Sequence, residues 1–181
     1  EGMCCLNNDL SMVKFYYDLG VRQMNFAYNL NNSAGGGCHD TDIGLTKFGK
    51  DVVAEMNRVG MVIDCSHNSY QTTMEAMEIS KDPIIFSHSN PRRIRNHERN
   101  ITDEQIKSCA KTGGVIGING VYWFLDEEKH DIEMFVQHLD YVVQMVGSKH
   151  LLAQIVGCYS DFGNRYILSN ISSRTVLWSQ P

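Results

Sequence analysis

The stretch "VIDCSH", residues 62–67, decides the fold, and "IIFSH" at 84–88 repeats its pattern. Each is a short apolar run rich in β-branched residues that ends in Ser-His. A strand that reads as continuous Val and Ile rather than as an alternation is covered on both faces, the condition of a parallel sheet flanked by helices. Packing alone gives no reason to finish two such strands with imidazole. Side chains at the carboxyl ends of parallel strands face the ligand site, so the strand ends here call for nitrogen ligands.

Working outward, strand and helix alternate about five times. Toward the C-terminus lie a helix at "YQTTMEAMEIS" (70–80), another at "TDEQIKSCAKTG" (102–113), a strand at "GVIGING" (114–120), a helix at "IEMFVQHLDYVVQMVG" (132–147) and a strand near "AQIVGC" (153–158). Thr102 with Gln105 three residues on forms a capping box that fixes one helix start. Toward the N-terminus, "DLSMVKFYYDL" (9–19) has Leu10, Val13 and Tyr17 at helical spacing, with Asn8 or Asp9 as cap and Gly20 as stop. "VRQMNFAYN" (21–29) reads as a strand. A glycine loop (32–44) then leads to a helix capped by Thr46 and stopped by Gly60, with Phe48, Val52, Val53 and Met56 on one side.

No hairpin signal separates the strands, so right-handed crossovers must join them in parallel. The glycine loop lacks the G-x-G-x-x-G spacing of a nucleotide-binding open sheet, which favours a TIM (β/α)8 barrel. Five strands do not close eight, so one barrel domain over 1–181, incomplete at its N-terminus, is expected. The stretch "ILSNISSRTVLWSQP" (167–181) shows no period.

A net charge of −5, from 16 basic and 21 acidic residues without a Lys/Arg cluster, argues against nucleic acid as a partner. No apolar run reaches the length of a transmembrane span. The six cysteines show no C-x-x-C spacing, which favours reduced thiols and a cytoplasmic-type compartment.

His67 and His88 are the first candidates for chemistry. One strand-end histidine is commonly a hydrogen-bonded structural residue, but two in the same context on successive strands could reach one metal ion at about 2.0–2.1 Å. Ser66, Ser87 and Ser89 each adjoin a histidine. Neighbours on an extended chain point opposite ways, so a Ser-His nucleophile is not expected, and Ser66 and Ser87 should bond backbone at the strand ends. "CHDTD" (38–42) resembles a ligand cluster but suits a turn equally. His130, His138 and His150 fall on helices or their ends and are expected at the surface. Trp123 and Phe124 are expected to wall a pocket.

The segments "EG" (1–2), "GLTKFGKDVVAEMNRVGMVIDCSH" (44–67), "PIIFSHSN" (83–90), "RNITDEQI" (99–106) and "GGVIGIN" (113–119), in this order and spacing, resemble the membrane (renal) dipeptidase family, especially its bacterial members, within the amidohydrolase superfamily. The resemblance runs from Glu1 to about Asp161. It implies a barrel holding two zinc ions that hydrolyses dipeptides through a metal-bound hydroxide. By resemblance Glu1 bridges the metals, His67 and His88 bind one of them, Arg99 holds the substrate carboxylate, and Asp161 of "CYSDFG" transfers protons. Tyr28 stands where animal relatives place a substrate-contacting histidine. Two departures weigh against a complete enzyme: the His-x-Asp pair of the first barrel strand has no counterpart in this chain, and Asp161 is followed by Gly163 and Asn164 rather than Asp-Gly. The rival readings are an inactive barrel fragment, for which a homodimer would cover the exposed strand edges, and another amidohydrolase-type enzyme acting on a different bond.

Overall fold

Local signals place the helices in the computed structural model, which describes residues 1–128 and 131–154. Helix α1 spans Ser11–Asp18, α2 Lys47–Val59, α3 Tyr70–Ile79, α4 Asp103–Lys111, α5 Tyr122–Leu125 and α6 Ile132–Val146. Thr46 accepts a hydrogen bond from Gly49 N at 3.0 Å and so starts α2, while Gly60, at φ 81°, turns the chain left-handed and stops it. At α4 the Thr102–Gln105 capping box forms in both directions. The first helix begins one turn's fraction later than its sequence implies. Its cap position is Leu10, yet Asp9 still serves the end, its Oδ1 accepting from Ser11 N at 2.9 Å.

The strands are β1 Gln23–Asn25, β2 Val62–Asp64, β3 Ile84–Ile85, β4 Ile116–Asn119 and β5 Leu151–Gln154. All pairs are parallel: Gln23 opposes Val62, Ile63 opposes Ile84, and Ile116 opposes Leu151. A bridge between Phe86 and Ile116 joins the two groups, so the five strands follow one another in chain order without reversal. An open doubly wound sheet reverses at its ligand-binding crevice; this order does not. The strands are shorter than the apolar runs that announce them, because regular pairing stops where the chain turns into the loops at the carboxyl ends.

Phe26, Phe86, Met56, Ile63, Ile84, Ile116 and Ile118 are fully buried between strands and helices. Each contributes roughly 1.5–3 kcal/mol of transfer free energy before entropy is subtracted. Gly117 allows a close approach: a Cβ there would overlap the Ser87 carbonyl oxygen, so only glycine lets β4 lie against the segment that carries His88.

Of the three histidines expected at the surface, His130 lies outside the described residues and the other two are inside. His138 shares the apolar stripe of α6 with Phe135 and Val142 and is fully buried, its Nε2 bonded to Leu125 O at 2.8 Å. His150 is also buried, with Nδ1 on Gly114 O at 2.7 Å. Each ring is tethered to a carbonyl by a short bond, which offsets part of the cost of burying it. Among the described residues no helix is long and apolar enough to cross a membrane.

Candidate active site

The carboxyl ends of β2 and β3 build the site around one buried carboxylate. Asp64 Oδ1 accepts from the backbone N–H groups of Ser66 (2.9 Å) and Ser87 (3.0 Å). Its Oδ2 accepts from Gln23 Nε2 at 2.9 Å and from the Ser87 hydroxyl, the latter a short bond. Since Ser87 gives its only hydroxyl proton to Asp64, its oxygen can only accept from its other neighbours, among them His88 Nδ1 at 2.6 Å. His88 therefore carries its proton on Nδ1 and presents a lone pair on Nε2.

This corrects the expectation that adjacent Ser and His cannot bond. The N–H groups of Ser87 and His88 go to Asp64 Oδ1 and to Ser66 Oγ (3.0 Å) instead of to a neighbouring strand. The chain has left the ladder there, so the alternation of a regular strand no longer applies. Ser66 Oγ does accept from backbone, though on the neighbouring segment, whereas Ser87, expected to do the same, bonds the side chains of Asp64 and His88.

His67 is fixed differently. Its backbone is left-handed, at φ 69°, an uncommon state for a residue with a side chain and one that clusters at functional sites. Its carbonyl accepts from Cys38 N at 2.9 Å, and Tyr28 stacks on its ring with centroids 4.3 Å apart. Nδ1 lies 2.7 Å from Asn29 Oδ1, which can only accept, so His67 too is protonated on Nδ1.

The two Nε2 atoms face each other at 2.8 Å, and Glu1 Oε1 stands 3.2 Å from that of His88 and 3.7 Å from that of His67. Glu1 is held there because Gly2 N donates to Asn25 Oδ1 at 2.7 Å and Met3 N to Phe26 O at 2.9 Å. Three electron-rich atoms converge with no proton between the imidazoles. Protonation is a poor remedy: burial, then the nearby Arg99 charge, then His88 itself hold the His67 imidazole down at about 3, and burial and Arg99 lower His88 as well. A metal cation satisfies all three, and two neutral imidazoles with one carboxylate are a donor set that zinc accepts. Among the described residues this is the one cluster of His, Cys, Asp and Glu side chains close enough to share an ion.

Arg99 lies beside the cluster, only 3% exposed. Its Nη2 donates to His88 O at 3.0 Å and Nη1 to Ser89 Oγ at 3.4 Å, its guanidinium lies over Phe124, and its Nε has no partner. Burial lowers its pKa, and among the described residues no carboxylate pairs with it. A buried, unpaired guanidinium is costly unless an anion arrives. Glu1, His67, His88 and Arg99 open with Tyr28, Trp123 and Phe124 into a cavity of about 990 Å³. The two aromatics expected to wall a pocket do so. Tyr28 is 53% exposed and covers the outer face of His67.

The 38–42 segment serves turns and ties: Asp40 accepts from Asn31 N and Thr41 N, Asp42 accepts from Gln71 N, and His39 Nδ1 pairs with Glu98 at 2.6 Å. Asp161 lies outside the described residues. Asp64 and Asn29, which set the protons of the two imidazoles, had no role in the sequence reading. A carboxylate closing an apolar strand two residues before a serine was the available signal for Asp64; Asn29 left none.

The family model described as Membrane dipeptidase (Peptidase family M19) matches residues 1–172. An uncharacterized dipeptidase of Schizosaccharomyces pombe is 33% identical over 172 residues, 90% of this chain and 40% of that protein. Among solved structures, an amidohydrolase from Pseudomonas aeruginosa superposes with a TM-score of 0.79 at 32% identity, covering 86% of this chain and 49% of that one. A metallo peptidase from Rhodobacter sphaeroides, solved with a phosphinate mimic of the dipeptide L-Ala-D-Ala, superposes at 0.77 with 25% identity, covering 82% and 46%. The chain thus spans less than half the length of these relatives.

Proposed function

Because the chain belongs to the membrane dipeptidase family, we propose that it carries the larger part of the active site of a zinc-dependent dipeptidase, built on a β/α barrel of which residues 1–181 form one partial domain. The observation that carries the reading is the convergence of His67 Nε2, His88 Nε2 and Glu1 Oε1, all within 4.8 Å of one another, with no proton to share between the imidazoles. Those three side chains would hold the metal, and Glu1 would bridge to a second ion. Zinc bound there would supply Lewis acidity and bring the pKa of water down to about 7.

Other residues of the chain supply further parts of the site. Arg99, buried and paired with no carboxylate among the described residues, takes the free carboxylate of the dipeptide, because its planar fork matches two oxygens at once. That anchors the scissile peptide bond between Arg99 and the Glu1–His67–His88 cluster. Tyr28 and Phe124, which line the same cavity, border the bound substrate. Asp161 accepts the proton released by attack and returns it to the leaving amine nitrogen.

The test is metal analysis of the full-length protein together with turnover of a dipeptide panel. Bound zinc near stoichiometry, and activity that a chelator abolishes and zinc restores, are expected. A pure, folded, full-length protein that neither binds zinc nor responds to chelators would overturn the reading.

A further inference from the structure

The two imidazoles are backed by different chemistry. His67 Nδ1 rests on a neutral amide, Asn29 Oδ1 at 2.7 Å, whereas His88 Nδ1 rests on the Ser87 hydroxyl at 2.6 Å, which itself donates to the Asp64 carboxylate. Asp64 is only 2% exposed and accepts four hydrogen bonds: two backbone amides, one side-chain amide and that hydroxyl. With so many donors the carboxylate cannot turn, so the hydroxyl that it orients cannot turn either. The backbone of His88 is pinned in the same web, its N–H on Ser66 Oγ at 3.0 Å, and Ser66 Oγ lies 3.3 Å from Ser87 Oγ. Both serines of the repeated Ser-His motif therefore serve one imidazole, that of His88.

We propose that Asp64 and Ser87 are positioning residues that fix His88 in its Nδ1-protonated tautomer, aim its Nε2 at the metal and make it the stronger of the two imidazole donors. The inference rests on the reading of His88 as a zinc ligand. An outer carboxylate linked to a ligating histidine fixes its ring and raises its basicity, and loss of such a link weakens metal binding about 10–100-fold. Here a hydroxyl stands between carboxylate and ring. Removing that oxygen breaks the link while leaving the buried carboxylate with its three other donors.

The experiment uses the full-length protein and its Ser87→Ala and Ser87→Thr variants. Zinc affinity is measured by competition with a chromophoric chelator, and nitrogen-15 NMR of the metal-free proteins reports which ring nitrogen of His88 holds the proton. Zinc binding about 10–100-fold weaker is expected for Ser87→Ala. Ser87→Thr, which keeps the hydroxyl, should stay within a few-fold of wild type. His88 should be protonated on Nδ1 in wild type and lose that single tautomer in Ser87→Ala. If wild type binds zinc and Ser87→Ala binds it equally well with the tautomer unchanged, the inference falls and the dipeptidase reading stands. If wild type binds no zinc, both fall. Should Ser87→Ala not fold, wild-type metal-free protein with the His88 proton on Nε2 would still overturn the inference.

Discussion

His67 Nε2 and His88 Nε2 stand 2.8 Å apart, and the partners of their Nδ1 atoms leave neither with a proton to share. Two facing lone pairs at that distance repel in the absence of a cation. Replacing His88 with Ala should abolish zinc binding at this site and change the stability of the metal-free protein by no more than about 1 kcal/mol, because relief of the repulsion offsets part of the lost packing. Zinc at this site should give wild type about 2.7 kcal/mol at a hundred times its dissociation constant, a contribution that the variant loses. Thermal melts of the full-length protein with and without zinc measure both. A zinc-induced shift as large in His88→Ala as in wild type would reject the ligand assignment.

Arg99 is a buried cation with which no carboxylate pairs among the described residues. Arg99→Lys keeps the charge but loses the fork and the bonds to His88 O and Ser89 Oγ. The KM for dipeptides should rise at least about tenfold, the loss of about 1.4 kcal/mol of binding. A dipeptide amide, which lacks the anionic terminus, should be a poor substrate for wild type, and the substitution should barely change its kcat/KM. Equal losses on the acid and the amide would assign Arg99 to scaffolding.

The features legible in the sequence are those that a few neighbouring residues decide. Thr46, Gly60 and the Thr102–Gln105 box act within one helical turn, and each does what its position implies. The two strand-end histidines were legible because the same Ser-His ending closes two successive apolar strands, a repetition that packing does not require. Contacts across long separations were not. Asp64 reaches Ser87 over 23 residues and Asn29 reaches His67 over 38, and only the fold brings such pairs together. The adjacent pair Ser87–His88 departs from its sequence expectation for the opposite reason: regular strand geometry ends there because Asp64 and Ser66 capture the backbone N–H groups. His138 carried a signal that went unused, since its spacing from Phe135 and Val142 puts it on the apolar stripe of α6.

Gly117 tests how tightly β4 must approach the metal-binding segment. Its N–H donates to Phe86 O at 2.6 Å, its carbonyl accepts from Ser89 N at 2.7 Å, and an added Cβ would overlap the Ser87 carbonyl. Backbone meets backbone there, so no rotamer change relieves the clash. Gly117→Ala should cost roughly 1–3 kcal/mol in urea denaturation. It should also weaken zinc binding by displacing residues 86–89. Unchanged zinc affinity in a destabilised variant would mean that His88 is held by Asp64 and Ser66 alone.

His138 sets a pH dependence that does not involve the metal site. Its ring is fully buried on α6, Nε2–H donates to Leu125 O at 2.8 Å, and Nδ1 has no partner. Burial holds its pKa below 6.5, against smaller opposing effects of the Leu125 carbonyl and Asp126. The unfolded chain has the ordinary value of about 6.5 and takes up a proton there as pH falls, whereas the folded chain does not until a lower pH. Stability contributed by neutral His138 is therefore complete above about pH 6.5 and declines below it, by up to about 1.4 kcal/mol per pH unit until the folded group titrates. The other depressed histidines and the carboxylates add their own slopes, so the comparison must be differential. His138→Gln can keep a donor for Leu125 O and has nothing to titrate. Urea denaturation of the metal-free full-length protein between pH 7 and pH 4.5 should show a shallower loss for the variant, with the stability difference between the two proteins shifting in the variant's favour as the pH drops. Parallel curves would show that His138 is protonated in the folded protein as readily as in the unfolded chain, and that the single bond to Leu125 suffices to keep a charged ring inside.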